Sequence, residues 1–336
     1  MPEVTVLMPV YNGGRFLKQA IQSMLNQTFS DFEFLIINDG STDGSAQIIS
    51  SFKDERIRLV TYNENQGLIT ALNDGIKLAA GYVIARMDAD DVSYKYRLEK
   101  QMDFLKKNPF VDVLGCHINF INEDGNIVGE HTYPLDHDSI KVESLFSCPL
   151  PHPGVVFKKE KFIQANLFYN PAYKHAEDYE LWQRGLAMLQ FANYDQKLIQ
   201  YRMSANQISN IDLKEQNEAA DKIRSNYLKS PGLSTPGNEH QIMFDFLGGR
   251  LQVNESEKFD QLLQQIDQII AANEISHLFN KQKLIVSFAK RTDRLVRIYT
   301  TRKAKLYSIY KKHKLFAYSC MRGQEKFKIY CKEWIG

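Results

Sequence analysis

Three aspartates follow directly on a short apolar segment. Tyr82–Met87 is an apolar run typical of a buried strand, and Asp88, Asp90 and Asp91 come within the next four positions. Because residues i and i+2 of an extended chain point to one side, we expect Asp88 and Asp90 to face one pocket and Asp91 to face away. Converging carboxylates need a cation, and Mg²⁺ or Mn²⁺ carrying ligand phosphates would supply it. The alternative is that Asp90 or Asp91 caps the following helix.

A second acidic pair, Glu177 and Asp178, stands in the segment 175–182, which is predicted to open a helix. Carboxylates in a first helical turn complement the helix dipole. A carboxylate can also take a proton from a hydroxyl group held within hydrogen-bond reach. The two residues by themselves are compatible with either role.

The elements that must position these groups alternate along the chain. Predicted strands cover residues 4–10, 32–37, 57–62 and 82–87, and predicted helices cover 16–25, 45–52 and 68–80. Such alternation indicates a parallel sheet with right-handed crossovers. Ligands bind beyond the carboxyl ends of the strands in these sheets. The polar turns 11–14, 38–44 and 88–91 all fall at those ends, so we expect them to share one ligand site.

The rest of the chain predicts two further regions. A helix at 95–107, a hairpin from 111–121 and 126–129, and strands at 155–157 and 197–201 indicate a mixed second half of the sheet. A proline-rich loop at 148–154 precedes the first of these strands, and a polar segment at 203–209 closes the region. From about residue 211 the pattern is helical, with a break at 230–238. We therefore predict an α/β domain at 1–210 and a helical C-terminal region at 211–336.

Composition and charge fit a folded protein with a polarised charge distribution. The 336 residues are enough for about two domains, and 43% hydrophobic and 24% charged residues are ordinary for a globular chain. Residues 281–336 hold 16 Lys/Arg and 3 Asp/Glu, which leaves 26 basic and 37 acidic residues, or net −11, for the rest. A basic end of this kind predicts contact with an anionic partner.

The cysteines and the termini bear on localisation. Four cysteines without a CxxC pair predict neither a zinc site nor a disulfide framework. The apolar run 4–10 contains Pro9 and lacks a basic flank, so it does not match a signal peptide. No apolar stretch reaches the length of about 18 residues that a spanning helix needs. We expect a cytoplasmic protein.

Several short motifs resemble those of the GT-A fold family 2 glycosyltransferases, and they follow one another in the same order as in that family. The resemblance covers about residues 2–210. Residues 85–91 are similar to the family's DxD metal motif in its DADD form, and residues 176–182 are similar to its ED base motif. The other matching segments are Pro9–Gly13, Gln27–Phe29, Ile37–Gly44, Asn65–Leu68, Leu72–Ile76, Tyr201-Arg202 and Gln207–Ser209.

The resemblance implies a fold and a reaction. The fold would be GT-A, a Rossmann-like α/β domain with a mostly parallel central sheet flanked by helices. The reaction would be an inverting, single-displacement transfer from a nucleotide sugar to a hydroxyl group of a saccharide or a lipid-linked saccharide. Such enzymes build bacterial cell-surface polysaccharides, including O-antigen and capsule. We expect a UDP-sugar donor, with a GDP- or dTDP-sugar as the alternative.

The resemblance also implies roles for individual residues. Asp178 would be the general base, and Asp90 would be the principal ligand of Mn²⁺ or Mg²⁺. Asp39 would accept a hydrogen bond from the nucleotide base, which for uracil is N3–H. The other donor-site positions would be Pro9, Val10, Tyr11, Asn12, Arg86, Asp88 and Ala89.

The sequence is compatible with two roles for each of five residues. Arg86 binds phosphate or pairs with a neighbouring aspartate. His152 touches the diphosphate or the acceptor, or it is an ordered loop histidine. Glu177 positions its neighbour or complements the helix dipole. Trp182 walls the acceptor site or fills the core, and Arg202 closes over the nucleotide or has a structural role.

The basic tract 281–336 has three interpretations. It is a solvated helical face, a membrane-surface segment, or a nucleic-acid site. Aromatic residues among Lys and Arg favour a peripheral contact with an anionic membrane surface, on the inner face of the cell membrane. We predict no nucleic acid as partner, because no recognition motif accompanies the charge.

Two other protein classes deserve comparison with the enzyme that the resemblance implies. One is a non-catalytic nucleotide-sugar-binding scaffold protein, against which the complete DADD and ED motifs argue. The other is a nucleotidyltransferase, which would carry a glycine-rich basic phosphate loop near the N-terminus. Residues 11–15 fit that loop poorly.

Overall fold

The computed structural model describes residues 1–203, 213–230, 233 and 241–334. Its contacts divide the chain into two compact units. The first unit comprises Met1–Ile140 and Cys148–Ala219, and the second comprises Lys141–Ser147 and Ala220–Gly336. The segment 141–147 thus belongs with the C-terminal residues. The boundary predicted after residue 210 and the closing segment from 204 onward lie outside the described residues, as does most of the break predicted at 230–238.

The strands and helices follow in chain order. The strands are β1 (Val4–Val10), β2 (Phe32–Asn38), β3 (Ile57–Thr61), β4 (Val83–Arg86), β5 (Val92–Ser93), β6 (Val113–Ile121), β7 (Ile127–His131), β8 (Val156–Lys158) and β9 (Phe191–Arg202). The helices up to the ED motif are α1 (Gly14–Leu25), α2 (Ser45–Ser51), α3 (Leu68–Leu78), α4 (Arg97–Lys107), α5 (His137–Glu143), α6 (Lys159–Gln164) and α7 (Glu177–Gly185). The later helices are α8 (Leu213–Leu228), α9 (Gln241–Leu247), α10 (Ser256–Ser276), α11 (Lys281–Tyr299), α12 (Leu306–Tyr310) and α13 (Gly323–Trp334).

One mixed sheet forms the centre of the first unit. Its strand order is β3-β2-β1-β4-β8-β6-β9-β5, and β7 pairs with β6. The four strands from β3 to β4 are parallel, whereas β8 runs antiparallel to both β4 and β6. The predicted α/β, Rossmann-like class and the mixed second half are confirmed. Six of the nine described strands run in one direction, and β5, β7 and β8 run against them, because the βαβ alternation ends at β4.

The sheet is covered on both faces. Strand β1 is buried along its whole length. Its residues Val4, Val6 and Met8 pack in one apolar cluster, while Leu7 packs in the cluster on the other side of the sheet. This alternation follows from the two-residue period of a strand, and it explains why β1 reads as a continuous apolar run.

The last strand of the first unit is longer than predicted. The expected strand 197–201 is the second half of β9, whose first residues Phe191, Ala192 and Asn193 pair with β6. Helices α5 and α6 and the short strand β5 were also not predicted. These elements are stabilised by pairing and packing partners far away in the sequence, so their local patterns are weak.

The second unit is helical. An apolar stripe from Phe259 to Ile270 is the buried face of α10, within the region predicted to be helical. His277 ends that helix in the left-handed region, with φ +51°. The buried amide of Asn273 then holds the turn, since it donates to the Phe279 carbonyl at 2.9 Å and accepts from the Phe279 N–H at 2.7 Å. None of the described helices combines the length and the apolar character that crossing a bilayer requires.

Candidate active site

The polar turns at the carboxyl ends of β1 and β2 are bonded to each other. Asn12, with φ +50°, has the left-handed conformation that asparagine tolerates. Its Oδ1 accepts from the Thr42 N–H at 2.9 Å, and its own N–H donates to Ser41 Oγ at 3.0 Å. The next N–H, of Gly13, donates to Ser45 Oγ at 3.0 Å. The two turns therefore form one rigid rim.

This rim presents the predicted donor residues unequally. Pro9 and Val10 are buried in β1, whereas Tyr11 is 52% exposed. A Cβ at Gly13 would lie 3.4 Å from the Cβ of Ala89. The turn after β1 and the acidic loop after β4 therefore lie side by side, and Tyr11 is the member of this group with a face open for stacking.

Asp39 is a buried carboxylate that holds the loop 65–67. It is 2% exposed. Its Oδ1 accepts from the Gln66 N–H at 2.7 Å, and its Oδ2 accepts from the Gly67 N–H at 2.9 Å and from Asn65 Nδ2 at 3.1 Å. A carboxylate has about four acceptor positions, so these bonds leave capacity for a further donor. The Asn65–Leu68 motif thus meets the Asp39 motif in space.

The three aspartates after β4 converge. One carboxylate oxygen from each of Asp88, Asp90 and Asp91 lies within 4.8 Å of the others. The prediction that Asp91 faces away is wrong, since Asp91 is 1% exposed and its Oδ1 accepts from the Arg202 N–H at 2.8 Å. The strand ends at Arg86 and the chain bends at Ala89 and Asp90, so side-chain alternation does not continue through the motif.

The mutual repulsion of these three carboxylates favours a bound cation. Burial raises the pKa of Asp91, and the charges of Asp88 and Asp90 raise it further. Arg86, 2% exposed, pairs with Asp88. Burial opposes the charge on Arg86, but Asp88 more than offsets this effect, so the pKa of Arg86 lies above its usual value. The charge of Arg86 offsets only part of the effect on Asp91, since the pKa of Asp91 remains raised.

The donor set fits a hard divalent ion. All three side chains offer oxygen, which Mg²⁺ and Mn²⁺ prefer. The Oδ2 atom of Asp91 is buried, and within the described ranges no residue donates a hydrogen bond to it. A buried acceptor without a donor is costly, and a bound cation would satisfy it.

The Arg202 side chain stabilises the acidic loop 88–91 through hydrogen bonds. Its Nε donates to the Asp90 carbonyl at 2.7 Å, and an Nη atom donates to the Asn122 carbonyl at 3.0 Å. The other Nη donates to Gln19 at 2.8 Å, and the guanidinium lies 4.2 Å from the centre of the Phe16 ring. The side chain is fully buried. Of the two interpretations of Arg202, the contacts favour the structural one.

Two further buried residues, Arg97 and Gln27, hold the same region, and local patterns indicated them only indirectly. The guanidinium of Arg97 donates to the Arg86 carbonyl at 2.7 Å and to Gln101 at 3.0 Å, and burial lowers the pKa of Arg97 to about 10. Gln27, from the Gln-Thr-Phe motif, accepts from the Leu98 N–H at 3.0 Å. These contacts anchor α4 beneath the acidic loop.

The ED motif begins α7 as predicted. His175, with φ +68°, turns the chain into the helix. Asp178 Oδ1 accepts from the Tyr179 N–H at 2.7 Å, and the thiol of Cys148 lies 3.4 Å from Asp178 Oδ2. Burial raises the pKa of Asp178, and these hydrogen bonds partly offset that effect. Burial and the charge of Asp178 raise the pKa of Glu177 to about 7.

His152 and Trp182 lie beside the ED motif. His152 Nε2 is 2.8 Å from the Tyr169 hydroxyl, so its partner is a side chain rather than backbone. Burial and the nearby Arg86 keep the pKa of His152 well below its usual range, so the ring is neutral. Trp182 is 0% exposed and packs edge-on to His152 at 6.3 Å between ring centres. This burial places Trp182 in the core.

Arg86 connects the two acidic groups. It pairs with Asp88, and its charge also lowers the pKa of Glu177 and Asp178 against the effect of burial. The Arg86 N–H donates to the Val155 carbonyl at 2.9 Å, next to the loop that carries His152. The residues predicted from separate motifs therefore surround one region. Cys148 and Tyr169 also lie there; they belong to no recognised motif, and the sequence contained no signal for them.

Comparisons with known proteins identify the family. Residues 5–166 match the model of glycosyl transferase family 2. An uncharacterized glycosyltransferase of Haemophilus influenzae is 33% identical over 233 residues, which cover 66% of this chain and 72% of the relative. The O-antigen biosynthesis glycosyltransferase WbnJ of Escherichia coli is 34% identical over 206 residues, 60% of this chain and 79% of WbnJ. The chain belongs to glycosyl transferase family 2 and is a glycosyltransferase.

Solved structures show the same fold. S. aureus TarS 1–349 in complex with UDP-GlcNAc superimposes with a TM-score of 0.57 at 16% identity, over 94% of this chain and 89% of that one. The match to the longer TarS chain spans 54% of it. The mannosyltransferase PcManGT from Pyrobaculum calidifontis, in complex with GDP-Man and Mn²⁺, matches with a TM-score of 0.53 at 15% identity, over 99% of this chain and 87% of that one. The GT-A fold that the motifs predicted is thereby confirmed.

Proposed function

We propose that this glycosyltransferase moves a sugar from a UDP-sugar to a hydroxyl group of a saccharide or lipid-linked saccharide, with inversion at the anomeric carbon. The observation that carries the proposal is the position of Arg86. Its buried guanidinium pairs with Asp88 on one side, and its charge acts on Asp178 on the other. The loop suited to a metal and the carboxylate suited to a base therefore border the same region.

The donor would bind along the rim formed by the first two turns. Tyr11 is exposed enough to stack on a base, and Asp39 keeps acceptor capacity beside the loop 65–67. In our proposal Asp39 accepts from N3–H of uracil. A TarS structure holds UDP-GlcNAc, and the PcManGT structure holds GDP-Man. A GDP- or dTDP-sugar is therefore the alternative within the same chemistry.

Asp90 would be the principal ligand of Mn²⁺ or Mg²⁺, with Asp88 and Asp91 beside it. When bound, the ion would offset the negative charge that grows on the leaving diphosphate. Mn²⁺ accompanies GDP-Man in PcManGT. The protein itself would hold the three carboxylates together, because Arg202 donates to the Asp90 carbonyl and Arg86 pairs with Asp88.

Asp178 would act as the general base. The acceptor oxygen attacks the anomeric carbon, the bond from that carbon to the diphosphate oxygen breaks, and the acceptor proton passes to the Asp178 carboxylate. A raised pKa suits this role, because a base with a pKa nearer the working pH is the stronger proton acceptor. Cys148 would orient Oδ2 of Asp178, since its thiol lies 3.4 Å away.

The acceptor class rests on the relatives. WbnJ is an O-antigen biosynthesis glycosyltransferase, and we propose a bacterial cell-surface saccharide for this chain as well. Capsule and O-antigen units are both compatible with the site. The alternative of a scaffold protein without catalysis predicts nucleotide-sugar binding without turnover.

The test of the proposal is the Asp178→Asn variant. A general base contributes about 10²- to 10⁴-fold to the rate, so transfer should fall by that factor while the UDP-sugar affinity stays within about twofold of the wild-type value. The matched control is Asp31→Asn, at an exposed position. Transfer that survives in Asp178→Asn would contradict the assigned base, and retention of the anomeric configuration in the product, followed by NMR, would contradict inversion.

A further inference from the structure

The C-terminal segment of the second unit carries mostly basic charged side chains. Residues 281–336 contain three acidic residues. Asp293 and Glu333 are each 1% exposed, and they accept hydrogen bonds from the Cys320 N–H and from Ser308. Glu325 pairs with Arg297 and accepts from the Arg322 N–H. The three acidic side chains thus bond to residues of the same unit, while most of the basic side chains are exposed.

Helix α13 places an aromatic side chain on this surface. Ile329 and Glu333 are buried and face the neighbouring helices. Phe327 lies on the other side of α13 and is 68% exposed, and Tyr330, one turn further, is 48% exposed. Phe327 and Tyr330 therefore place exposed aromatic surface among the basic side chains of this segment.

The end of α11 lies next to α13 and has the same character. Arg297 pairs with Glu325 in the first turn of α13, and its carbonyl accepts from Lys332 in the last turn at 3.5 Å. Ile298, the next residue, is 55% exposed. We call the exposed set at this end the basic-aromatic patch; its members are Arg294, Ile298, Arg302, Lys303, Phe327, Lys328, Tyr330 and Lys332.

We propose that the basic-aromatic patch docks on an anionic membrane surface, with Phe327 and Ile298 inserted among the lipid headgroups. The combination of basic and apolar side chains favours a membrane over an acidic protein as the partner. Basic side chains around exposed aromatic and aliphatic ones match an interface that is negative outside and apolar a few ångströms deeper. An acidic protein would complement the charge but would not explain the isolated apolar side chains. This surface lies on the second unit and adds a membrane contact to the proposed catalytic function.

The test is sedimentation of the full chain with vesicles of phosphatidylcholine alone and of phosphatidylcholine with 30% phosphatidylglycerol. We expect binding to the mixed vesicles only, weakening as salt rises. A Lys303→Glu/Lys328→Glu variant should lose at least about 25-fold in the partition coefficient, since losing each lysine charge near an anionic surface costs about fivefold and the two glutamates add repulsion. Phe327→Ser should lose about fivefold, and Phe327→Trp should keep the affinity.

Matched controls separate the patch from overall charge and from unfolding. Lys107→Glu/Lys161→Glu makes the same charge change at exposed positions of the first unit, and Phe110→Ser removes an aromatic side chain that is 65% exposed there. Both should bind like the wild type, and all variants should keep its melting temperature. Equal losses in controls and patch variants would overturn the proposal. The proposal would also be overturned if the wild-type chain did not bind the mixed vesicles, or if it bound a single-stranded oligonucleotide more tightly than the vesicles.

Discussion

Replacing Asp39 by asparagine tests how the loop 65–67 is held. The carboxylate accepts from the Gln66 N–H at 2.7 Å, the Gly67 N–H at 2.9 Å and Asn65 Nδ2 at 3.1 Å. An amide keeps one oxygen. In its better orientation that oxygen keeps the contacts with Gly67 and Asn65, and the amide NH₂ group then faces the N–H of Gln66.

The magnitude follows from these contacts. One charge-assisted hydrogen bond is lost, and the amide NH₂ group meets the N–H of Gln66 beside a side chain, that of residue 39, which is 2% exposed. Each of these effects costs about 1.5 to 3 kcal/mol, and partial relaxation of the loop recovers some of the sum. We expect Asp39→Asn to lower the free energy of unfolding by about 2 to 4 kcal/mol.

The assay is urea unfolding followed by tryptophan fluorescence. The chain has two tryptophans, and in a Trp334→Phe background the signal comes from Trp182, which is buried in the core of the first unit. Asp31→Asn, at an exposed position, is the matched control and should change stability by less than about 0.5 kcal/mol. Equal unfolding midpoints for the two variants would refute the account of Asp39 as the residue that holds the loop 65–67.

Two further variants test the supports of the acidic loop and of the base. Arg202→Lys should destabilise the first unit by about 2 to 3 kcal/mol and weaken Mn²⁺ binding, because an ammonium group cannot bond the Asp90 carbonyl and the other buried acceptors together; wild-type Mn²⁺ affinity, measured by calorimetry, would contradict this. Cys148→Ala removes a hydrogen bond that lowers the pKa of Asp178, so the acidic limb of the rate profile should move to higher pH, with an unchanged plateau at high pH. The sign follows because the base acts deprotonated, and Cys148→Ser, which keeps a donor, should leave the limb in place.

Local patterns predicted the half of the sheet that positions the proposed donor site. Strand β1 was predicted with its observed bounds, and β2, β3 and β4 within one residue at each end. Each of these strands is a short apolar run followed by turn residues, so its own composition determines it. The convergence of the three polar turns followed from the topology of a parallel sheet, without knowledge of any single contact.

The remaining features depend on contacts that sequence spacing does not encode. Asp91 turns inward because the N–H of Arg202, 111 residues away, meets its carboxylate. Cys148 reaches Asp178 through a loop whose course no local pattern predicts. Trp182 stands close to the ED motif, yet it fills the core. A motif therefore indicates which residues share a site, while the side on which each one lies is decided by tertiary packing.

The central claim is a metal-dependent site for a uridine nucleotide built from Asp39 and the Asp88–Asp91 loop. The most direct test is calorimetric titration of the full chain with UDP, GDP, dTDP and CDP, each with and without Mn²⁺. We predict tightest binding of UDP, by about tenfold or more over GDP and CDP, and loss of that binding when Mn²⁺ is left out. Equal affinity with and without Mn²⁺, or no binding of any nucleotide, would contradict the account.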